Sequence, residues 1–312
     1  VDIPGEKQIA MTSPRNADHN LLEQIYGIKF PPDFFSFWHF ASNHPSILLE
    51  AEIHLTGPFD LLRNPVSDRQ ENLLWEARYY NDPPEFLTVA SGHTDGLHWG
   101  YYVDDPESPP FPLVSYYSND AFELQIVGYT MFDVLRCRIE ELHQSLTDFI
   151  QDDPDSKESY QDGLTRLAPL RKGLQLYGTG DRLEIGQEYI LKYQRDDTLR
   201  QPVASTRDYI GIVTPSDKYI SLTADDIFNI WNISPTPSQV TLRAQEAKDL
   251  LAQGYPGAAL KLGKDLWTFE DYRETSYTLL NAAYAALNRP LLQKFLQVAI
   301  EYRTDCDSRQ GS

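Results

Sequence analysis

Apolar and polar positions alternate in short runs between Phe86 and Tyr117, and that pattern organises the first half of the chain. The runs are Phe86-Leu87-Thr88-Val89-Ala90, Leu97-His98-Trp99-Gly100-Tyr101-Tyr102-Val103 and Phe111-Pro112-Leu113-Val114-Ser115-Tyr116-Tyr117. They are rich in aromatic and β-branched residues, and a Ser91–Gly96 turn and an acidic proline loop separate them, which predicts an antiparallel meander. In the middle run Leu97, Trp99, Tyr101 and Val103 alternate with His98, Gly100 and Tyr102. One face is therefore expected in a core and the other against solvent or a second layer. Leu48–Leu55 and Phe122–Val127 read as further strands.

Helical spacing brackets the meander. Asp18 opens a helix through Ile25 that Gly27 ends, and Pro31-Pro32-Asp33 starts another whose Phe34, Phe37, Trp38 and Ala41 form a core stripe. Phe59–Leu62 reads as a short helical segment and Asn64–Asn72 as a polar loop. Thr130 opens a long helix: Met131, Leu135, Ile139, Leu142, Leu146 and Phe149 recur at steps of three and four, leaving Arg136, Glu140, Glu141 and Asp148 outward.

Gln151-Asp152-Asp153-Pro154-Asp155-Ser156 is acidic, prolyl and aperiodic, and places a domain boundary between residues 1–152 and 153–312. Beyond it come a helix around Tyr160, Leu164 and Leu167, then two strands, Glu188–Tyr193 and Tyr209–Thr214, as a small hairpin near 188–214. Gly178-Thr179-Gly180-Asp181 lacks the Gly-Lys-Ser/Thr of a phosphate loop. From Thr223 the chain reads as helical. Gly254-Tyr255-Pro256-Gly257 and Asn288-Arg289-Pro290-Leu291 lie 34 positions apart, with Ala252 matched by Ala286. That spacing resembles tetratricopeptide hairpins, and an antiparallel bundle with similar turns reads equally well. Tyr277, Leu280, Tyr284, Leu287, Phe295 and Val298 are expected in its core. The fold class is α+β: an antiparallel sheet flanked by helices, then a mainly helical domain.

Composition narrows the partners. The 312 residues carry 46 acidic against 27 basic side chains, a formal charge of −19, which disfavours direct nucleic-acid binding. No run is long enough for a bilayer and no leader opens the chain, so a soluble protein of the cytoplasm, or the nucleus in a eukaryote, is expected. Cys137 and Cys306 read as two independent thiols. The oligomeric state is not legible.

Candidate chemistry is sparse, and no cofactor is called for. His93, Asp95 and His98 are the weak candidates for a metal, since imidazole and carboxylate suit zinc, although Asp95-Gly96 is also what a tight β-turn demands. Asp104-Asp105, Asp152-Asp153, Asp196-Asp197 and Asp225-Asp226 read as solvated loop or helix-start acids.

Four blocks carry a resemblance. Pro31-Pro32-Asp33-Phe34-Phe35-Ser36-Phe37-Trp38, Gly57-Pro58-Phe59-Asp60-Leu61-Leu62, Tyr80-Asn81-Asp82-Pro83-Pro84-Glu85-Phe86-Leu87-Thr88 and Trp99-Gly100-Tyr101-Tyr102-Val103-Asp104-Asp105-Pro106 resemble the histone PARylation factor family in the same order. Gly211-Ile212-Val213-Thr214-Pro215-Ser216-Asp217-Lys218 and Leu260-Lys261-Leu262-Gly263-Lys264-Asp265-Leu266-Trp267 extend the likeness to the tail. The resemblance implies an accessory factor for an ADP-ribosyltransferase. Animal members insert an Asp-Glu pair into a poly(ADP-ribose) polymerase, the glutamate acting as general base for a serine acceptor. Here that pair falls on Ala252 and Gln253, or with a one-residue shift on Leu251 and Ala252, and neither gives a carboxylate. Glu246 and Asp249 are possible substitutes upstream, and the arginine expected after Pro215-Ser216-Asp217-Lys218 is missing. The resemblance therefore implies a non-enzymatic protein that meets its partner through Glu246, Asp249, Gln253, Tyr255 and Lys218. The alternative is an immunity-type protein, because the opening helix and acidic meander also resemble bacterial toxin-immunity domains; it would neutralise a basic toxin through Asp104, Asp105 and Glu107.

Overall fold

A computed structural model describes residues 16–63, 73–119, 123–153, 155, 157–174, 204–222 and 235–310. In chain order the elements are α1 (Asn16–Tyr26), α2 (Pro32–Asn43), α3 (Pro45–Glu50), β1 (His54–Leu55), α4 (Pro58–Arg63), β2 (Phe86–Ser91), β3 (Leu97–Tyr102), β4 (Leu113–Tyr117), β5 (Gln125–Gly128), α5 (Met131–Asp152) and α6 (Lys157–Leu174). Four helices follow: α7 (Pro237–Ala252), α8 (Pro256–Leu266), α9 (Arg273–Ala286) and α10 (Pro290–Gln310). An antiparallel sheet with its helices thus precedes a mainly helical region. None of the described helices is long and apolar enough to cross a membrane.

The five strands pair in chain order, each antiparallel to the next. The Leu97 amide donates to the Thr94 carbonyl at 2.8 Å across a turn in which Asp95 and Gly96 take φ of 49° and 67°. Two left-handed central residues match the twist of a tight hairpin, which is why Asp-Gly sits there. Every residue of β3 is buried, so a second layer rather than solvent meets the far face. Leu97, Trp99, Tyr101 and Val103 enter the main core with Phe34, Phe37 and Phe59. Phe86, Tyr102 and Tyr116 pack with Leu124 and Ile210 on the other side.

Three expectations fail locally. Leu48–Leu55 is not a strand: α3 occupies most of it, and only His54 and Leu55 pair, with Ser91 and Ala90. Pro45 at the first helical turn presets φ and lacks only an amide that would be orphaned there. The short apolar run Ile47-Leu48-Leu49 is ambiguous between strand and helix, and the buried Ile47 beside a 71% exposed Leu49 reflects helical spacing. In α5, Glu140 does not face water. The helix starts on the expected Thr130, in a reciprocal cap with Asp133. Past the acidic break, α6 folds back on it, and Arg171 Nε donates to Glu140 Oε1 at 2.7 Å. Leu167, Leu170 and Leu174 of α6 join the main core. At the other end Phe149 is 51% exposed rather than inward.

In the second half, Glu188–Tyr193, Gly178–Asp181 and the paired acids at 196–197 and 225–226 lie outside the described residues. Tyr209–Thr214 is not a strand: a turn closes at Tyr209, φ 66°, whose amide donates to the Thr206 carbonyl at 2.9 Å, and among the described residues a single antiparallel bridge joins Ala204 to Ile212. The four C-terminal helices form two hairpins with similar corners. Gly254 and Asn288 both take positive φ, and the amides of Tyr255 and Arg289 donate five residues back to Leu250 and Tyr284, at 3.0 and 2.8 Å. Pro256 and Pro290 then open the next helices. Leu280, Tyr284 and Phe295 are buried as expected, while Tyr277, Leu287 and Val298 are half-buried.

Burial raises the Asp33 carboxyl to about 6, against the amide of Met131, which donates to its Oδ2 and pulls the other way. Its folded pKa lies above the ordinary 3.8, so the folded state holds the proton longer. The carboxyl therefore costs stability increasingly as pH rises from 3.8 to about 6, and in full above that. We expect Asp33→Asn, which still accepts from Met131, to melt above the wild type at pH 7.5 and level with it near pH 4. Paired melts at the two pH values check the sign.

Candidate functional site

The segment from Tyr80 to Phe86 couples the sheet to the helical hairpins. Arg78, a buried side chain, donates to the carbonyls of Asp82, Pro83 and Phe86 and so fixes the Pro-Pro turn. From the helical side Trp267 Nε1 donates to the Asn81 carbonyl at 3.0 Å. Arg303 of α10 lies 3.7 Å above the Trp267 ring and donates to the Tyr80 and Trp267 carbonyls at 2.8 and 3.1 Å. Backbone carbonyls that no strand can pair are thus satisfied by guanidinium and indole donors.

Beside this joint Lys264 of α8 is buried among acids. Its Nζ is 2.6 Å from Asp208 Oδ2 and 3.6 Å from Glu85 Oε1, and it donates to the Tyr102 hydroxyl. Tyr284 donates to Glu85 Oε1 at 2.7 Å. Burial pushes the Asp208 carboxyl up, but the Lys264 charge and the hydrogen bonds from Lys264 and Thr206 outweigh it and hold the group below the usual range. Three residues from separate segments meet on one ammonium.

This cluster floors a cleft of about 540 Å³ between the sheet and the α7–α8 corner. Gly254, Tyr255, Pro256 and Gly257 line one side, Asp104 and Asp105 are on its wall from the loop after β3, and Thr214, Pro215 and Arg289 also contribute. Gly257 has a packing reason: a Cβ there would stand 2.4 Å from Thr214 Oγ1. The carried-over positions fall at the corner. Ala252 ends α7 and Gln253 caps it, both exposed, and Gln253 Nε2 folds back onto the Asp249 carbonyl at 3.0 Å. Tyr255 and Lys218 come together, the ammonium 5.1 Å from the ring centroid, with Asp217 3.0 Å from the ammonium.

Glu246 and Asp249 sit further back on α7. Glu246 is paired with Arg243 at 2.7 Å, and Asp249 accepts from Gln245 at 2.8 Å. The two surfaces that the sequence separates, the α7–α8 corner and the Asp104-Asp105 loop, border one cleft. Charge changes on either therefore bear on both, although Glu107 is exposed outside it.

His93, Asp95 and His98 are not gathered. His98 is fully buried, its Nδ1 2.7 Å from the Gly96 carbonyl and its Nε2 2.8 Å from Asp82 Oδ1, so both nitrogens are engaged within the fold. His93 and Asp95 are exposed. No group of three His, Cys, Asp or Glu side chains suited to a metal occurs among the described residues. Sequence reasoning missed Lys264, Asp208, Glu85 and Arg303. The available signal was Lys261, Lys264 and Asp265 falling among Ala258, Leu262 and Leu266, charges inside an otherwise apolar helix.

The family described as Histone PARylation factor 1 matches residues 17–222. Histone PARylation factor 1 of Mus musculus is 26% identical over 322 aligned positions, covering 91% of this chain and 86% of its own. The Bos taurus protein of that name is 25% identical over 331 positions, covering 93% and 88%. The Danio rerio protein is 32% identical over a shorter stretch of 120, covering 36% of this chain and 34% of its own.

Proposed function

The chain belongs to the histone PARylation factor family, and from that premise we propose that it is a non-enzymatic accessory factor that docks on an ADP-ribosyltransferase through its α7–α8 corner. The observation that carries this is the corner itself: exposed Ala252, Gln253 and Gly254 project from two rigidly packed helices beside a deep cleft. Such a tip can enter a partner's site at little entropic cost, because its backbone is already ordered.

The corner brings no base. Gln253 is an amide, which cannot take a proton at neutral pH. Asp249 lies four residues earlier, about 6 Å back along the axis at 1.5 Å per residue, and Glu246 is bound to Arg243. We therefore read the wild-type chain as a docking factor that does not direct transfer to serine.

The test is association with a poly(ADP-ribose) polymerase by biolayer interferometry. Gln253→Trp, a bulky change at an exposed position, should weaken binding at least tenfold, about 1.4 kcal/mol, and leave the melting temperature unchanged. Unaltered binding by that variant would move the interface elsewhere.

A further inference from the structure

The cleft's charges do not balance, and one buried atom marks the imbalance. Of the lining residues Glu85, Asp104 and Asp105 are acidic and Lys264 and Arg289 basic. Each basic group already has an acid close by: Lys264 has Asp208 at 2.6 Å, and Arg289 has Asp105 at 3.5 Å. Glu85 is 2% exposed, and Tyr284 takes its Oε1. Its Oε2 is buried with no hydrogen-bond partner among the described residues. A carboxylate oxygen held in that state at the wall of an open cleft favours an incoming donor, because an unmet buried acceptor is costly. Tyr129 and Tyr255 line the same space, and aromatic faces attract cations.

We propose that the cleft receives the side chain of a lysine or arginine from a peptide, the cationic head donating to Glu85 Oε2 and the Asp104-Asp105 rim drawing it in. This deepens the docking reading and rests on it for its meaning: a peptide held there lies beside the α7–α8 corner, where an acceptor would be presented. The binding step itself needs no polymerase, so the two ideas fail separately.

The experiment is fluorescence anisotropy of the full chain with labelled, end-blocked pentapeptides, Gly-Gly-X-Gly-Gly, X being lysine, arginine, norleucine or glutamate. Lysine and arginine should bind at least tenfold more tightly than norleucine, the scale of one charge-assisted hydrogen bond. Glu85→Gln, whose amide oxygen still accepts from Tyr284, should remove most of that preference. Arg289→Gln should tighten the lysine peptide about threefold by freeing Asp105, whereas a cleft built for anions would respond in the opposite sense. Should Glu85→Gln fail to fold, the sign of the Arg289→Gln effect decides alone. Equal binding of norleucine, preference for glutamate, or a folded Glu85→Gln that binds lysine unchanged would overturn the proposal. Polymerase association of the same variants, measured in parallel, shows whether the docking reading stands without it.

Discussion

Lys264→Met is expected to destabilise the protein by about 3–5 kcal/mol, the cost of breaking a buried ion pair from one side. The side chain is only 3% exposed and holds together Asp208, Glu85 and Tyr102, so its loss strands two buried acids without their cation. A hydrophobic pair of similar volume costs far less than a lone buried charge. Asp208→Asn in the Lys264→Met background should therefore recover part of the loss. Urea unfolding of the three proteins measures it. A single-variant loss below about 1 kcal/mol, the scale of a surface pair, would mean that the cluster is solvated.

Gln253→Glu is expected to raise polymerase-catalysed transfer to serine by about 10²–10⁴-fold over the wild type, the range of a positioned general base. The geometry favours the variant. The wild-type amide is drawn back by its bond to the Asp249 carbonyl, and a carboxylate has no hydrogen to donate there, so it is released toward the partner. Placing a negative charge at the end of α7 costs about 0.3–1 kcal/mol against the helix dipole, too little to unfold the hairpin. Asp249→Ala should leave the variant's activity unaltered.

The sheet was legible because its residues alternate and its turn is specified by Asp95-Gly96, both local signals. The two C-terminal corners were legible for a similar reason: Gly254 and Asn288, each two residues before a proline, punctuate the helices in the same way. What failed was context. Glu140 is read as outward from α5 alone, and only the return of α6 buries it. Leu49 and Ile47 look alike in a list of apolar residues but face opposite sides of α3. The candidate site was half legible. The resemblance put Gln253 and Tyr255 at the tip, but the convergence of Lys264, Asp208 and Glu85 spans 179 positions of chain from first to last (264 less 85) and leaves no local trace. The motif around Asp82-Pro83-Pro84-Glu85 gained its meaning only in three dimensions, as the seam between sheet and helices.

The central claim, a docking factor without its own base, is tested most directly by reconstitution. A poly(ADP-ribose) polymerase, labelled NAD and a histone peptide with a single serine are combined with no addition, the wild-type chain or Gln253→Glu, and binding is followed in the same mixtures. The account predicts that both chains bind and that only Gln253→Glu places label on serine. Serine labelling by the wild type would contradict it by revealing a carboxylate at work elsewhere, and absence of binding by both would contradict the docking surface itself.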